Sequence, residues 1–458
     1  MRIGLDARSL TMPRLRGTGR NLLDAYRLIP ALRPEWEFVL YHQRPAEAGR
    51  RPTAGTEPGR YVATDTGRND GDPPWHRPNV RRRQLDLPGD RLGAWLHVAL
   101  PTAATLDRID LLHLPANDAP WWCPVPYVAT IHDLVPLRLR GELSPAATQA
   151  FRRGVRRAVR GAAHLITVSA ATRDELRDEF GVPAEKITVI PWAADQHIAA
   201  RARQPLSDRQ RCALQMRYGL GPRWLIQFAG ANRRKNARGA LDGFARVAPE
   251  RRQGLQIVLV GCEPASYRRE LGVDAERFGI ADQCRILGFV PHDDLPDLLR
   301  GSCGLLMPSR GEGFGLPILD AFACGVPVLT SNTSAMPEVA GDAAVYCDPN
   351  DGESIGRGIA ALLDKARAAE LVARGRARLA QFSWSRTAEA MCAVYERAAA
   401  SRRPAWPVRA WNVARGPRPV RSPAATRGGT GVPACVPTVG AAPLQSALGP
   451  VITTEEGG

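Results

Sequence analysis

An α/β chain made of two successive doubly wound halves is expected here, on three observations. Short apolar runs alternate with helical patterns almost throughout, as in parallel sheets covered by helices. Several of those runs end on a small or polar residue, as strands buried on both faces do. The alternation lapses near Ala194–Pro222, where polar residues surround one short helix at about Asp208–Tyr218, and then begins again.

In the first half, strands are expected at Arg2–Leu5, Glu37–Tyr41, Leu111–Leu114, Tyr127–Ile131, Leu165–Val168 and Ile187–Ile190. Helices are expected at about Gly19–Ile29, Thr148–Gly161 and Ala170–Phe180. The stretch 44–90 is rich in Gly, Pro and Arg and should hold a long loop with one strand. In the second half, strands are expected at Trp224–Ala229, Gln256–Val260, Cys284–Leu287, Cys303–Met307, Val326–Thr330 and Ala344–Cys347. Its helices should follow the 230–236 loop and cover Leu295–Arg300, Pro317–Cys324, Gly352–Asp364 and Glu370–Leu379, with a last one from Gln381 to about Ala400. The expected domains are 1–200, 201–384, a C-terminal helix 385–400 packing back towards the first domain, and a tail 401–458. The tail is dominated by Pro, Arg, Gly and Ala without periodicity, a composition that reads as disordered.

The 458 residues are 44% hydrophobic and 24% charged, ordinary for a globular chain able to bury a core. The opening MRIGLDARSL lacks the apolar centre of a signal peptide, and no run approaches a membrane span, so a cytoplasmic location is expected. Nine scattered cysteines, with no CxxC pair, read as small buried hydrophobes in a reducing compartment. The net charge of +16 is nearly all arginine, since lysine occurs only at Lys186, Lys235 and Lys365. No nucleic-acid reading module accompanies it, and no nucleic-acid partner is expected.

Candidate site residues follow strands, where open α/β sheets bind ligands. The stretch PSRGEGFGLPILDAFACGVPV, Pro308–Val328, sets Gly311, Gly313 and Gly315 around Glu312 and Phe314, then opens an apolar helix at Pro317. Close glycines let a ligand approach the backbone, and a helix N-terminus suits a phosphate. Glu312 then suits hydroxyls rather than phosphate, and Asp320 lies in the first turns of the helix. FAGANRRKN, Phe228–Asn236, brings Gly230, Arg234, Lys235 and Asn236 to the same edge, and its two cations would balance much of a diphosphate. Gly17 and Gly19, in RLRGTGRN, could approach a phosphate from the opposite wall, and His132 ends a strand in VATIHDLVP. Each feature has a plainer reading: a capped turn for Glu312, a solvated face for Arg234 and Lys235, a tight turn for Gly17 and Gly19, a wall residue for His132. His113 reads as structural, and Glu338 as part of an interdomain wall.

These motifs, with LITVSAATRDEL, IVLVG and ILGFVPHDDLPDLL in the same order and spacing, resemble the retaining GT-B glycosyltransferases of the family-4 type. The resemblance runs from about Arg2 to Ala399. It implies two Rossmann-like domains facing a cleft, the first on the acceptor side and the second binding a nucleotide-sugar. It implies that Arg234 and Lys235 hold the donor diphosphate and that Glu312 contacts the donor sugar. Phe314, Gly315 and Leu316 would offer backbone amides, with Gly17, Gly19, Gly230, Gly313 and Asn236 in the donor site and His132 facing sugar or acceptor. The second acid of the family's E-x7-E motif, a ribose ligand, is aspartate here, Asp320, which implies a weakened or re-angled contact. The implied activity is hexose transfer, mannose preferred, to a glycan or lipid-linked acceptor in cell-surface polysaccharide synthesis. GDP-mannose is the preferred donor, with UDP- or dTDP-sugars as alternatives. No cofactor and no metal is expected, and the lone D-x-D, Asp70 and Asp72, follows no apolar strand. A non-catalytic relative of the same fold and a nucleotide-sugar epimerase remain alternatives. The arginines of Phe151–His164 read either as a charged outer face or as a contact with anionic membrane.

Overall fold

β1 (Arg2–Asp6), β2 (Glu37–His42), β3 (Val80–Gln84), β4 (Leu111–Leu114), β5 (Tyr127–Ile131), β6 (His164–Thr167) and β7 (Ile187–Val189) form a seven-stranded sheet in the order β3-β2-β1-β4-β5-β6-β7. β8 (Arg223–Phe228), β9 (Leu255–Val260), β10 (Cys284–Ile286), β11 (Gly304–Met307), β12 (Val328–Ser331) and β13 (Ala344–Cys347) form a six-stranded one, ordered β10-β9-β8-β11-β12-β13. Every pairing is parallel. The computed structural model describes residues 1–10, 17–43, 76–85, 93–230 and 232–401. Asp70, Asp72, Arg14 and the segment 402–458 lie outside them.

In each sheet the winding direction reverses beside the first strand, between β1 and β4 and between β8 and β11. Crevices open at the carboxyl ends of strands at such points. Central strands are apolar because both faces are covered: β4, β5 and β11 are buried end to end. The strand expected within 44–90 is β3, an edge strand whose exposed Arg81 and Arg82 blunt further pairing. Several helical segments escape the sequence reading, and the two longest are instructive. A π-helical stretch at Trp95–Ala99 runs into a helix at Leu100–Leu106, and Ala265–Arg277 is helical while burying only Leu271 and Ala275. Two buried positions make too narrow a stripe to show in a sequence.

The helices that matter for the site are α1 (Gly17–Leu32), α2 (Pro145–Gly161), α3 (Ala170–Phe180), α4 (Ala237–Ala245), α5 (Leu316–Ala323), α6 (Met336–Ala340) and α7 (Trp384–Ala400). α7 returns to the first half. Its Trp384, Ala388, Met391 and Tyr395 share a core with Leu5, Tyr26 and Ile29. A buried polar chain fixes it there: Tyr395 Oη lies 3.0 Å from Tyr26 Oη and 2.9 Å from His113 Nδ1, and His113 Nε2 lies 2.9 Å from Thr130 Oγ1. Burial pushes His113 down to about 3, so it is a neutral structural residue. The Trp384 indole donates to the Ala194 carbonyl at 2.8 Å, tying α7 to the segment between the sheets. The described residues fall in one compact unit.

Candidate functional site

β8 and β11 are neighbours, and the loops that leave them are stitched together. The Arg310 N–H donates to the Arg234 carbonyl at 2.8 Å, and the buried Gln227 side chain donates to the Lys235 carbonyl at 2.7 Å. Asn232 caps the Arg233–Lys235 turn by accepting from the Arg234 N–H. These contacts aim the two cations at one carboxylate. Lys235 Nζ lies 3.1 Å from Glu312 Oε1, and the Arg234 guanidinium pairs with Glu312 Oε2 while donating to the Gly311 carbonyl at 3.0 Å. Ser309, one residue beyond the Pro308 that follows β11, donates to Glu312 Oε1 at 3.0 Å. Glu312 is only 7% exposed. Burial alone would raise its pKa, but Lys235 and Arg234 outweigh burial and hold it below the usual range. Burial likewise works against the Arg234 charge, and Glu312 more than restores it. The sequence singled out all three residues, and the structure brings them into one cluster.

The opposite wall belongs to the first half. Asp133 and Glu142 stand near Arg234, each with a pKa raised by burial and partly offset by that arginine. Sequence reading passes over both: in VATIHDLVP it singles out the histidine and not the Asp133 beside it, and Glu142 lies in an irregular stretch with no motif around it. A Cβ at Gly313 would meet the His132 carbonyl oxygen at 2.1 Å. The glycine there makes room for the facing half of the chain. Gly230 (φ +58°) and Gly17 have open space where a side chain would be, and Gly19 is buried in the first turn of α1. Asn236 is held by backbone on both sides. It is buried at φ +58°, and its amide donates to the carbonyls of Pro308 at 3.0 Å and Pro349 at 2.7 Å. Both donors of that amide are engaged by backbone, so Asn236 braces the loops that carry the site.

His132 Nε2 lies 2.7 Å from the Pro115 carbonyl, so it carries the proton and Nδ1 is left to accept. Its ring meets Trp192 edge-on at 5.1 Å and lines a cavity of about 20 Å³ with Asn21, His113 and Met391. Burial lowers its pKa and keeps it neutral. Phe314 faces the core, edge-on to Phe382 at 6.0 Å. α5 starts at Leu316 behind Gly315 (φ +107°) with no side-chain cap; Pro317 carries no N–H and the Ile318 N–H donates to the Gly315 carbonyl at 2.9 Å, so the Gly315 and Leu316 amides are the ones left for an anion.

Asp320 sits one turn further, 8% exposed, with Oδ1 accepting from the Asp195 N–H at 2.9 Å. Asp195 in turn faces Arg20 of α1 at 3.5 Å and His292 at 3.5 Å. Burial, then the Asp195 charge, pushes Asp320 up to about 8; burial also works on Asp195, but His292 and Arg20 bring it down to about 2. Asp24 of α1, buried nearby, is pushed up to about 7 for the same reasons as Asp320. A chain of carboxyls therefore joins α1, the inter-sheet segment and α5. Glu338 on α6 makes a second bridge: its carboxylate accepts from the Ala170 N–H at 2.8 Å and the Ala171 N–H at 3.1 Å, capping α3 across the two halves.

Residues 219–378 match the family described as Glycosyl transferases group 1, and residues 48–197 match Glycosyltransferase Family 4. The O-antigen chain mannosyltransferase B of Escherichia coli is 29% identical over 385 residues, covering 81% of this chain and 93% of that protein. The serotype-specific mannosyltransferase WbdA of Escherichia coli is 29% identical over 282 residues, 60% of this chain but 33% of that longer protein. Among solved structures, Anabaena HepE in complex with UDP-glucose superposes with a TM-score of 0.62 at 18% identity, covering 86% of this chain and 99% of that one, a likeness of fold. Each half of the chain thus matches a glycosyltransferase description, the two-sheet architecture is shared, and the chain belongs to the GT-B glycosyltransferases of the family-4, group 1 type.

Proposed function

We propose that the chain transfers mannose from a nucleotide diphosphate-mannose, GDP-mannose first among the candidates, to a hydroxyl of a glycan or lipid-linked acceptor in cell-surface polysaccharide synthesis. The observation that carries this is the buried Arg234–Lys235–Glu312 cluster beside the uncapped start of α5, at the switch point of the second sheet. Mannose comes first because the relative matched over 81% of this chain is a mannosyltransferase by name, as is WbdA.

In this reading the arriving diphosphate draws Arg234 and Lys235 away from Glu312. The freed carboxylate then accepts from sugar hydroxyls. The acceptor oxygen bonds to the anomeric carbon as its bond to the phosphate oxygen breaks, and the departing diphosphate takes the acceptor's proton on the same face, which retains configuration. Charge builds on the leaving group, and the two cations with the amides at Gly315 and Leu316 are already aimed at it. The cation pair balances that charge without a metal ion. Neutral His132 stands on the acceptor side and orients the acceptor.

The test is incubation with GDP-mannose and a mannose-terminated oligosaccharide, with released GDP measured and the new linkage read by NMR. An α-linked mannose from the α-configured donor is the expected product. A nucleotide-sugar altered in the absence of acceptor would make the chain an epimerase, and nucleotide binding without turnover of GDP-, UDP- or dTDP-sugars would make it a non-catalytic relative.

A further inference from the structure

Two adjacent tryptophans project from the first half: Trp121 is 68% exposed and Trp122 is 52% exposed. Trp121 is held in place, its ring lying flat on His97 at 4.0 Å between centroids and 5° between planes. Val98, next to His97, is exposed as well. This apolar rim is fastened to a basic helix. Arg157 of α2 donates to the Ala119 carbonyl at 2.9 Å and to Asp118 Oδ1 at 2.7 Å. The fit is close, since a Cβ at Gly154 would stand 2.9 Å from the Asp118 carboxyl.

Arg152 and Arg157 are neutralised by Glu179 and Asp118. Arg153, Arg156 and Arg160 are not paired with any described acid, and they share one exposed stripe of α2 at spacings of three and four. We propose that this surface docks on an anionic bilayer, with Trp121 and Trp122 at the headgroup boundary and Arg153, Arg156 and Arg160 against lipid phosphates. Tryptophan, with an apolar ring and one polar N–H, partitions to that boundary, and unpaired cations beside it add attraction to anionic lipid. A neutral glycan would use the aromatic rings and leave the arginines without a role. No helix among the described residues is long and apolar enough to cross a membrane, so this contact is peripheral. It goes beyond the donor chemistry and does not depend on it.

The test is co-sedimentation of the full chain with vesicles of phosphatidylglycerol and phosphatidylcholine, against phosphatidylcholine alone, at low salt. Wild type should bind only the anionic vesicles. Trp121→Ser/Trp122→Ser and Arg153→Glu/Arg156→Glu/Arg160→Glu should each lose about tenfold or more in partitioning, while keeping the wild-type melting temperature. Absence of binding overturns the proposal. So does binding unchanged in either variant, which would assign it to another part such as 402–458. Should a variant fail to fold, brominated phosphatidylglycerol decides the matter. It should quench wild-type fluorescence and quench Trp121→Phe/Trp122→Phe markedly less; equal quenching also overturns the proposal.

Discussion

Glu312 is a buried carboxylate that two cations keep ionised, and removing either partner leaves charge without compensation. Lys235→Ala should lower kcat on the order of 100-fold or more, with a smaller change in donor KM, because its donor acts on charge that develops in the transition state. Unchanged turnover in a steady-state assay would remove Lys235 from that role. Asp320 gives a prediction about pH. Its folded pKa, about 8, lies above the value of about 4 for a free aspartate. The stability it lends is complete below about pH 4 and is lost as pH rises towards 8. Wild-type melting temperature should therefore fall across that window, with Asp24 contributing through its own value of about 7. Asp320→Asn should flatten part of the fall, and an unaltered profile would show that Asp320 does not bind that proton. Asp195, held near 2, acts in the opposite sense and matters only on strong acidification.

Glu338 of α6 supplies the first amides of α3 with an acceptor they lack within their own helix. Glu338→Ala should lower stability by about 1–2 kcal/mol in urea titrations, as the loss of a charged N-terminal partner does. Gly313→Ala should be worse than its size suggests, since its Cβ would meet backbone rather than a movable side chain. A loss of about 1–3 kcal/mol is expected, together with reduced transfer activity; wild-type melting would contradict the close approach of His132. These two positions also show what a sequence can reveal. Strands such as Tyr127–Ile131 were legible to the residue because they are short apolar runs buried end to end, and helices such as Ala170–Phe180 because a capping serine, Ser169, and a left-handed glycine, Gly181, bound them. Arg234, Lys235 and Glu312 were legible because charge directly after an apolar strand is conspicuous. The packing roles of Gly313 and Asn236 were not legible because their partners are distant in sequence: Asn236 answers to Pro308 and Pro349, 72 and 113 residues away. Glu142 carries no local pattern and Asp133 shares only the His132 motif, and the approach of the two halves is what sets both beside Arg234.

The two sheets place their switch points towards each other through three ties: the Asp195–Asp320 contact, the Glu338 cap and the return of α7 onto α1. Binding energy for a ligand between the halves is thereby coupled to how these ties are made. In the ligand-free arrangement the cations of the second half are occupied by Glu312, so an anion of matching geometry exchanges one partner for another. The measurement to make is the thermal shift of the wild-type chain with GDP, UDP, dTDP and ADP, beside Arg234→Gln/Lys235→Gln as control. One nucleoside diphosphate, GDP first, should raise the melting temperature of the wild type in a concentration-dependent way, and the effect should vanish in a control that still melts cooperatively. Equal stabilisation of both proteins, or none by any nucleotide at millimolar concentration, would contradict the placement of the donor diphosphate on Arg234 and Lys235.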